Sequence, residues 1–359
     1  MSKNIRDLAR MANTSVATVS RALSGKNGVS DEKRQNIIKL ADELGFRPNR
    51  FAQNLSFQKS HMIGFIASTL DNLTYLHYYR IIEDYFKPLG YQLLIADSKL
   101  DLEKEKENIR TMLEHRAEGL LIFPVSDWHH NNEIDHFLEL KLNKIPFVLL
   151  GRVEGYNFDC VFAEELESAY QIGRHLIELG HRRIGVVGYE SQNRPARERL
   201  KGLMRAFVEA GFGNDEEVLQ KHLSILSPDL NMLDLRAEEL IREEARRWFA
   251  GPGAPTALVP ISDYVAIGLY RPFHQLGIRI PEDVSIATFG DSYFSRYLIP
   301  SLTLMTTDNN RVAHTAAMML DQRIADPVRP PMAEGIVQKF ILRETTAPPS
   351  ESGVICRNG

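Results

Sequence analysis

Apolar residues are spaced in two different ways along this chain, and the change falls near residue 60. Before it the spacing is helical. Ile5, Leu8 and Ala9 stand at i, i+3 and i+4, one face of a short first helix. Residues 12–15 (Ala-Asn-Thr-Ser) predict a turn, in which Asn13 can take the left-handed conformation and Ser15 can cap a second helix over 16–23. Ala9 and Val19 are the small and branched residues that let these two helices cross closely. Asn27-Gly28 breaks the chain. Ser30 then caps a third helix with Ile37, Ile38, Ala41 and Leu44 inward, and Gly45 stops it.

After His61 the pattern changes to short, continuous apolar runs. Those at 62–67, 91–96, 119–124 and 146–150 predict buried strands, separated by helices over 78–89, 102–115 and 131–141. The alternation then restarts, with a helix over 168–179, a strand over 183–187, helices over 199–210 and 235–249, a strand over 257–260, a helix over 265–276 and a strand over 284–289. Strands alternating with helices predict parallel sheets covered on both faces. The expected fold class is therefore a small all-α head plus an α/β core of two doubly wound parallel-sheet lobes. Two such sheets facing each other place the carboxyl ends of their strands around a cleft, where ligands bind.

Charge sharpens this division. The whole chain is nearly balanced, at −4, but its first 60 residues carry 11 basic and 5 acidic side chains, which leaves −10 on the remainder. A basic head on an acidic body fits a nucleic-acid binder whose body does not touch the polyanion. No signal peptide is visible, and no run approaches the roughly 18 apolar residues of a membrane helix. Cys160 and Cys356 stand far apart, with neither disulfide-framework nor metal spacing. A cytoplasmic location is expected, without contact with a membrane.

Enzymatic chemistry is not expected, and neither a cofactor nor a metal is. No Gly-rich phosphate loop ending in Lys-Ser/Thr follows a strand, and no zinc-protease or nucleophile-elbow motif occurs. His129-His130 is adjacent rather than helix-spaced, and Asp127 beside Trp128 makes no acid-base pair.

The chemistry in the head is that of a helix-turn-helix. The start of the second helix carries Thr14, Ser15, Val16, Ala17, Thr18, Ser20 and Arg21, with Asn27 in the break beyond. Such a helix end enters the major groove, where hydroxyls donate or accept, Val and Ala touch a thymine methyl, and Arg reaches a guanine edge or a phosphate. Residues 47–55 form a second basic segment, with Asn49, Arg50, Ala52 and Gln53 leading to an apolar Leu55.

Thr18-Val19-Ser20-Arg21-Ala22-Leu23-Ser24, Val29-Ser30, Leu44-Gly45-Phe46-Arg47-Pro48-Asn49 and Ala52-Gln53-Asn54-Leu55 together resemble the head of the lactose-repressor/galactose-repressor (LacI/GalR) family. The stretches 176–185 (Leu-Ile-Glu-Leu-Gly-His-Arg-Arg-Ile-Gly) and 277–286 (Gly-Ile-Arg-Ile-Pro-Glu-Asp-Val-Ser-Ile) extend the resemblance over nearly the whole chain. Asn13 and Thr14 stand where the family carries Gly and Val.

The resemblance implies a sequence-specific transcriptional regulator, most simply a repressor of carbohydrate-utilisation genes. It implies double-stranded operator DNA of near-palindromic sequence as partner, a homodimer, and a small-molecule effector, a sugar or sugar derivative. It implies a type I periplasmic-binding-protein-like core. It divides the chain into a head over 1–45, a hinge over 46–60 that becomes helical on DNA, a core over 61–346 and a flexible tail over 347–359. Three crossings between lobes fall near 151–155, 290–292 and 305–309. That gives a first lobe of about 61–152 plus 291–306 and a second of about 155–289 plus 309–346. In the hinge, Leu55 becomes a wedge that unstacks a base step in the minor groove.

For the effector, the resemblance points to Arg199, whose fork suits vicinal hydroxyls or a carboxylate, and to Ser262 and Asp263. Ser68, Tyr75 and Asp291 face the expected cleft, with Tyr78 and Tyr293 as further aromatic candidates. Ser262, Gly151 and Gly290 stand where the family grips its ligand with Asn or Asp, so a larger glycan, a sugar acid or another unusual effector is expected. Two other readings remain open on the sequence: a cytoplasmic sugar-binding protein with an incidental basic head, and a regulator without a small-molecule effector.

Overall fold

The computed structural model describes residues 4–23, 27–45, 60–125, 133–189, 194–226, 236–251 and 253–350. The chain divides into two compact units, Met1–Ser60 and His61–Gly359.

The first unit holds α1 (Ile5–Met11), α2 (Val16–Leu23) and α3 (Asp31–Glu43). Asn4 and Asp7 form a capping box that satisfies the first backbone N–H groups of α1. Asn13 has φ 46°, the left-handed turn conformation expected of it. The Ser15 hydroxyl accepts the Thr18 N–H at 3.1 Å and so caps α2. Ser30 does not cap in this way. It precedes α3 in an extended conformation with no side-chain bond to the helix, and Asp31 and Glu32 supply negative charge to the first turn instead. Leu8, Ala9, Val19, Ala22, Ile37 and Ala41 make the core, with Leu40 and Leu44 packed against it, whereas Ile38 is only half-buried.

Among the described residues, the second unit contains two sheets of six strands. The first joins β1 (Met62–Ala67), β2 (Gln92–Asp97), β3 (Gly119–Ile122), β4 (Phe147–Leu150), β5 (Cys160–Ala163) and β11 (Ala333–Ile336) in the order β11-β5-β4-β3-β1-β2, all parallel. The second joins β6 (Ile184–Val187), β7 (Leu223–Leu226), β8 (Ala257–Pro260), β9 (Ser285–Phe289), β10 (Thr303–Thr306) and β12 (Lys339–Ile341) in the order β12-β10-β9-β8-β6-β7. Only β12, beside β10, runs antiparallel. The helices α4 (Leu73–Phe86), α5 (Leu102–Glu114), α6 (Asp135–Leu142) and α12 (Asn309–Ala325) serve the first lobe. The second lobe is served by α7 (Glu165–Glu178), α8 (Arg194–Glu209), α9 (Asp215–Lys221), α10 (Ala237–Trp248) and α11 (Asp263–Gln275).

Two of the three expected crossings are in the wrong place. After Gly151 the chain stays in the first lobe to form β5, and it leaves only between β5 and α7. After Gly290 it stays in the second lobe, because β10 pairs with β9. The crossing expected at 305–309 does fall between β10 and α12, and the third lies between β11 and β12. Residues 303–306 therefore belong to the second lobe, and 309–336 to the first.

A buried carboxylate explains part of this. Asp159 accepts from the Arg323 Nε at 2.7 Å, from Arg329 at 3.0 Å and from the Met332 N–H at 2.7 Å, which ties the α12–β11 connection to the first lobe. α12 also packs Val312, Ala316 and Leu320 into the core that holds Ile82 and Phe86 of α4.

The start of the expected tail is also pinned. His181, 1% exposed, bonds Thr256 through Nδ1 and the Ala347 carbonyl through Nε2, both at 2.9 Å. Ala347 further exchanges bonds with the Ser285 hydroxyl, each 3.0 Å. Residues 347–350 are thus part of the second lobe, and 351–359 lie outside the described residues.

Burial pushes the His181 imidazole from the ordinary 6.5 down to about 4, because the charged form cannot be solvated there. The unfolded chain binds this proton first. The stability His181 contributes is complete above about pH 6.5 and is lost as pH falls toward 4. The total is about 3 kcal/mol. Urea unfolding of wild type and His181→Gln at pH 7 and pH 5 is expected to show a smaller acid loss in the variant. Equal losses would refute this account.

Candidate nucleic-acid interface and effector cleft

In the head, Ser15, Val16, Ala17, Arg21 and Asn27 are exposed, while Thr14, Thr18 and Ser20 are half-buried. Val19 and Ala22 turn into the core, so α2 presents its opposite face and its N-terminal turn outward. The Ser15 and Thr18 hydroxyls also bond each other at 2.9 Å. Their hydrogen-bonding capacity is therefore partly spent on holding the start of the helix. Val16 and Arg21 remain as the larger outward side chains of α2. The hinge candidates Asn49, Arg50, Ala52, Gln53 and Leu55 lie outside the described residues, as do Asp127, Trp128, His129 and His130.

In the body, strand order reverses at β1/β3 of the first sheet and at β6/β8 of the second. Carboxyl ends diverge at such points and leave room for a ligand. Ser68 follows β1, Gly188 and Tyr189 follow β6, and Ser262 and Asp263 follow β8.

The sequence candidates there are largely engaged within the protein. Ser68 is fully buried and donates to the Tyr75 hydroxyl at 3.1 Å. Tyr75 and Tyr78 pack their rings on Phe123, with centroids 4.1 and 5.5 Å away. Tyr78 also donates to Asn309 at 2.7 Å. Tyr75 and Tyr78 belong to the core of the first lobe, and Ser68 is bonded to one of them. Burial raises the Tyr78 pKa far above the ordinary phenol range, so the ring stays protonated. Tyr293 lies at the opposite extreme, 70% exposed.

Ser262 caps α11 by accepting the Val265 N–H at 3.4 Å. Asp263 is buried, and its Oδ2 accepts from the Ser292 N–H at 2.6 Å and the Ser295 hydroxyl at 2.8 Å. The glycine at 290 becomes intelligible here. With φ +90°, it lies so close that a Cβ would stand 2.9 Å from Asp263 Oδ1. The Asp263 carboxylate thus occupies the space beside Gly290. Asp291 accepts two bonds from Arg343, at 3.0 and 3.3 Å.

Arg199, on α8, donates through Nε to Glu165 at 2.7 Å and through another nitrogen to the Ile261 carbonyl. Its guanidinium lies 4.2 Å from the Phe289 ring centroid. Gln338, on the β11–β12 crossing, donates to the same Glu165 oxygen at 3.4 Å. Tyr189 Oη and Gln338 Oε1 are buried without a hydrogen-bond partner. Contacts between the lobes continue with the Leu73 N–H on the Tyr264 hydroxyl at 3.1 Å and Arg197 near Glu154 at 3.8 Å.

Sequence reasoning missed Glu165, Tyr189, Phe289 and Gln338. Tyr189 and Phe289 could have been found as strand-end residues. Glu165 and Gln338 carry no local signal, since their partners are distant in sequence.

Helix-turn-helix head and two-lobed core together define the class of a DNA-binding regulator with a ligand-binding body. Residues 4–49 match the bacterial regulatory proteins of the lacI family, and residues 174–346 match the periplasmic binding protein-like domain. The chain is 28% identical over 324 residues to the ribose operon repressor of Haemophilus influenzae, covering 90% of this chain and 92% of that one. It is similar to the lac repressor dimer bound to operator and the anti-inducer ONPF, with TM-score 0.80, 21% identity, and coverage of 97% and 100%. A LacI family regulator from Enterococcus faecium with bound ribose gives TM-score 0.66 at 24% identity, covering 80% of this chain and all of that one. Residues 4–49 thus form a head of the lacI family of bacterial regulatory proteins, and the chain is similar to a bacterial operon repressor over nine-tenths of its length.

Proposed function

We propose that this protein is a sequence-specific repressor of carbohydrate-utilisation genes. It binds a near-palindromic operator as a homodimer, and a small molecule in the interlobe cleft modulates that binding. The observation that carries the reading is the outward face of α2, with Val16, Ala17 and Arg21 exposed behind the Ser15 cap on a head of net charge +6. Such a face reads base edges, while the surrounding cations supply salt-dependent affinity. The H. influenzae relative, named for its ribose operon, supports the carbohydrate assignment.

The homodimer is supported by an exposed apolar patch on the second lobe, formed by Tyr293, Phe294, Tyr297 and Ile299. Residues 46–60 act as the hinge, with Leu55 as a minor-groove wedge whose insertion makes specificity partly a matter of DNA deformability. Effector binding is coupled reciprocally to operator binding through the lobe crossings. No helix among the described residues is long and apolar enough to cross a membrane, and the reading places the protein on bacterial DNA.

Gel-shift with genomic fragments tests this. A specific complex that weakens with salt is expected, and Arg21→Ala should weaken it about ten- to hundredfold. Failure to find any specific complex would sink the proposal.

A further inference from the structure

We infer that Glu165 sets the charge selectivity of the effector cleft. By occupying Arg199 it excludes anionic ligands, and it leaves Gln338 and Tyr189 to take the hydroxyls of an uncharged sugar. This inference rests on the effector reading above and narrows it to one chemical class.

An arginine in a cleft ordinarily invites a carboxylate or phosphate. Here the charge of Arg199 is already met by Glu165 at 2.7 Å, and both side chains are largely buried, at 13% and 9% exposure. The Ile261 carbonyl holds a second nitrogen, and Phe289 covers one face. Other arginines at the start of α8 do not supply a spare cation. Arg197 lies 3.8 Å from Glu154, and buried Arg194 is also engaged. An incoming anion would stand beside the Glu165 carboxylate in a poorly solvated place, where like charges repel strongly.

The two buried atoms without partners call for hydroxyl groups. Gln338 directs its amide nitrogen at Glu165, which only accepts, and this fixes the amide oxygen facing away. That oxygen needs a donor. A sugar hydroxyl supplies one. Tyr189, fully buried and held protonated by that burial, can donate to a sugar oxygen or accept from a hydroxyl. Gln338 also sits between β11 of one lobe and β12 of the other, so a ligand bonded there acts directly on a segment about which the lobes can move.

The test is calorimetry on the full-length protein with four matched pairs of probes. These are glucose and glucuronate, galactose and galacturonate, mannose and mannuronate, and cellobiose and cellobiouronate. At least one neutral member is expected to bind, with its acid weaker by about ten- to hundredfold. Glu165→Gln should strengthen acid binding by roughly tenfold or more, since Arg199 then lacks its counter-ion. Gln338→Leu should weaken the neutral sugar about tenfold. An acid that binds wild type as tightly as its neutral partner overturns the inference, and so does a panel in which no neutral sugar binds at millimolar concentration. If Glu165→Gln fails to fold, the wild-type comparison of acid with neutral sugar still decides. The same wild-type samples are run in the gel-shift assay. Intact operator binding beside an unfavourable calorimetric result refutes only the charge selectivity, whereas absent operator binding refutes the regulator.

Discussion

Ile299→Asp is expected to dissociate the homodimer and to weaken specific operator binding by at least about a hundredfold. Ile299 is 92% exposed, and it stands six residues from Tyr293 and two from Tyr297, whose rings lie 5.2 Å apart. Burying these side chains against a second copy gains free energy in proportion to the apolar area removed from water. A carboxylate placed in that contact must be desolvated without a partner. The effect on DNA is larger than the effect on either head alone. Two linked heads bind two half-sites with a high effective concentration, and separated heads lose it. Sedimentation velocity and gel shift check the two effects together. Leu142→Asp, which changes an exposed apolar residue on α6 of the other lobe, should leave both unchanged. An Ile299→Asp protein that remains dimeric would place the interface elsewhere.

Gly202→Ala carries the largest expected loss of stability. In an ordinary helix interior this change stabilises by about 1 kcal/mol. Here a Cβ at 202 would meet the Leu166 carbonyl oxygen at 2.1 Å, and Ala169 Cβ and the Tyr170 backbone nitrogen at 2.8 Å. Two of those three atoms are backbone, so no side-chain rotation relieves the clash. Helices α7 and α8 would have to separate, which would strip contacts from Ile172, Leu203 and Phe207 in the core of the second lobe. Gly173 has the same role from the other side, lying close against Ala206. A cost of about 3–4 kcal/mol follows, a fall in Tm of roughly 10 °C. Thermal denaturation followed by circular dichroism checks it. Gly251→Ala, where nothing lies within 4 Å of the added Cβ, serves as the control. A variant at 202 as stable as the control would mean that the helices part at little cost.

Much of the fold is legible in the sequence because its signals are local. The apolar run at 62–67 becomes β1, and the runs near 119 and 146 become β3 and β4. The turn at Asn13 and the cap at Ser15 rest on single residues and their immediate neighbours. Elements without a strong run were missed. β7, β10, β11 and β12 carry Ser, Thr, Glu or Lys among their three or four residues, so no continuous apolar run marks them, and β5 ends directly before Glu164 and Glu165. α12 was missed although it is 17 residues long, because its stripe of Ala and Met is weakly apolar beside its polar positions.

The site was harder to read than the fold. Arg199 and Asp263 are conspicuous residues in the right elements, but the sequence does not say whether a charged side chain meets a ligand or another part of the chain. Glu165 and Arg199 are 34 positions apart, and Gln338 and Glu165 are 173 apart. Such pairs form only when lobes and crossings are assembled.

The sequence by itself determined the class of protein, the basic head with its reading helix and the alternation that makes two α/β lobes. These depend on periodicity, capping and charge, which act within a few residues. Only the tertiary structure decided which lobe each late strand joins, where the chain crosses, and which cleft groups are already engaged. The physical reason is the same in each case. Strand pairing, the close approach of α7 and α8, and the neutralisation of a buried arginine are contacts between distant segments, and no local pattern specifies the partner.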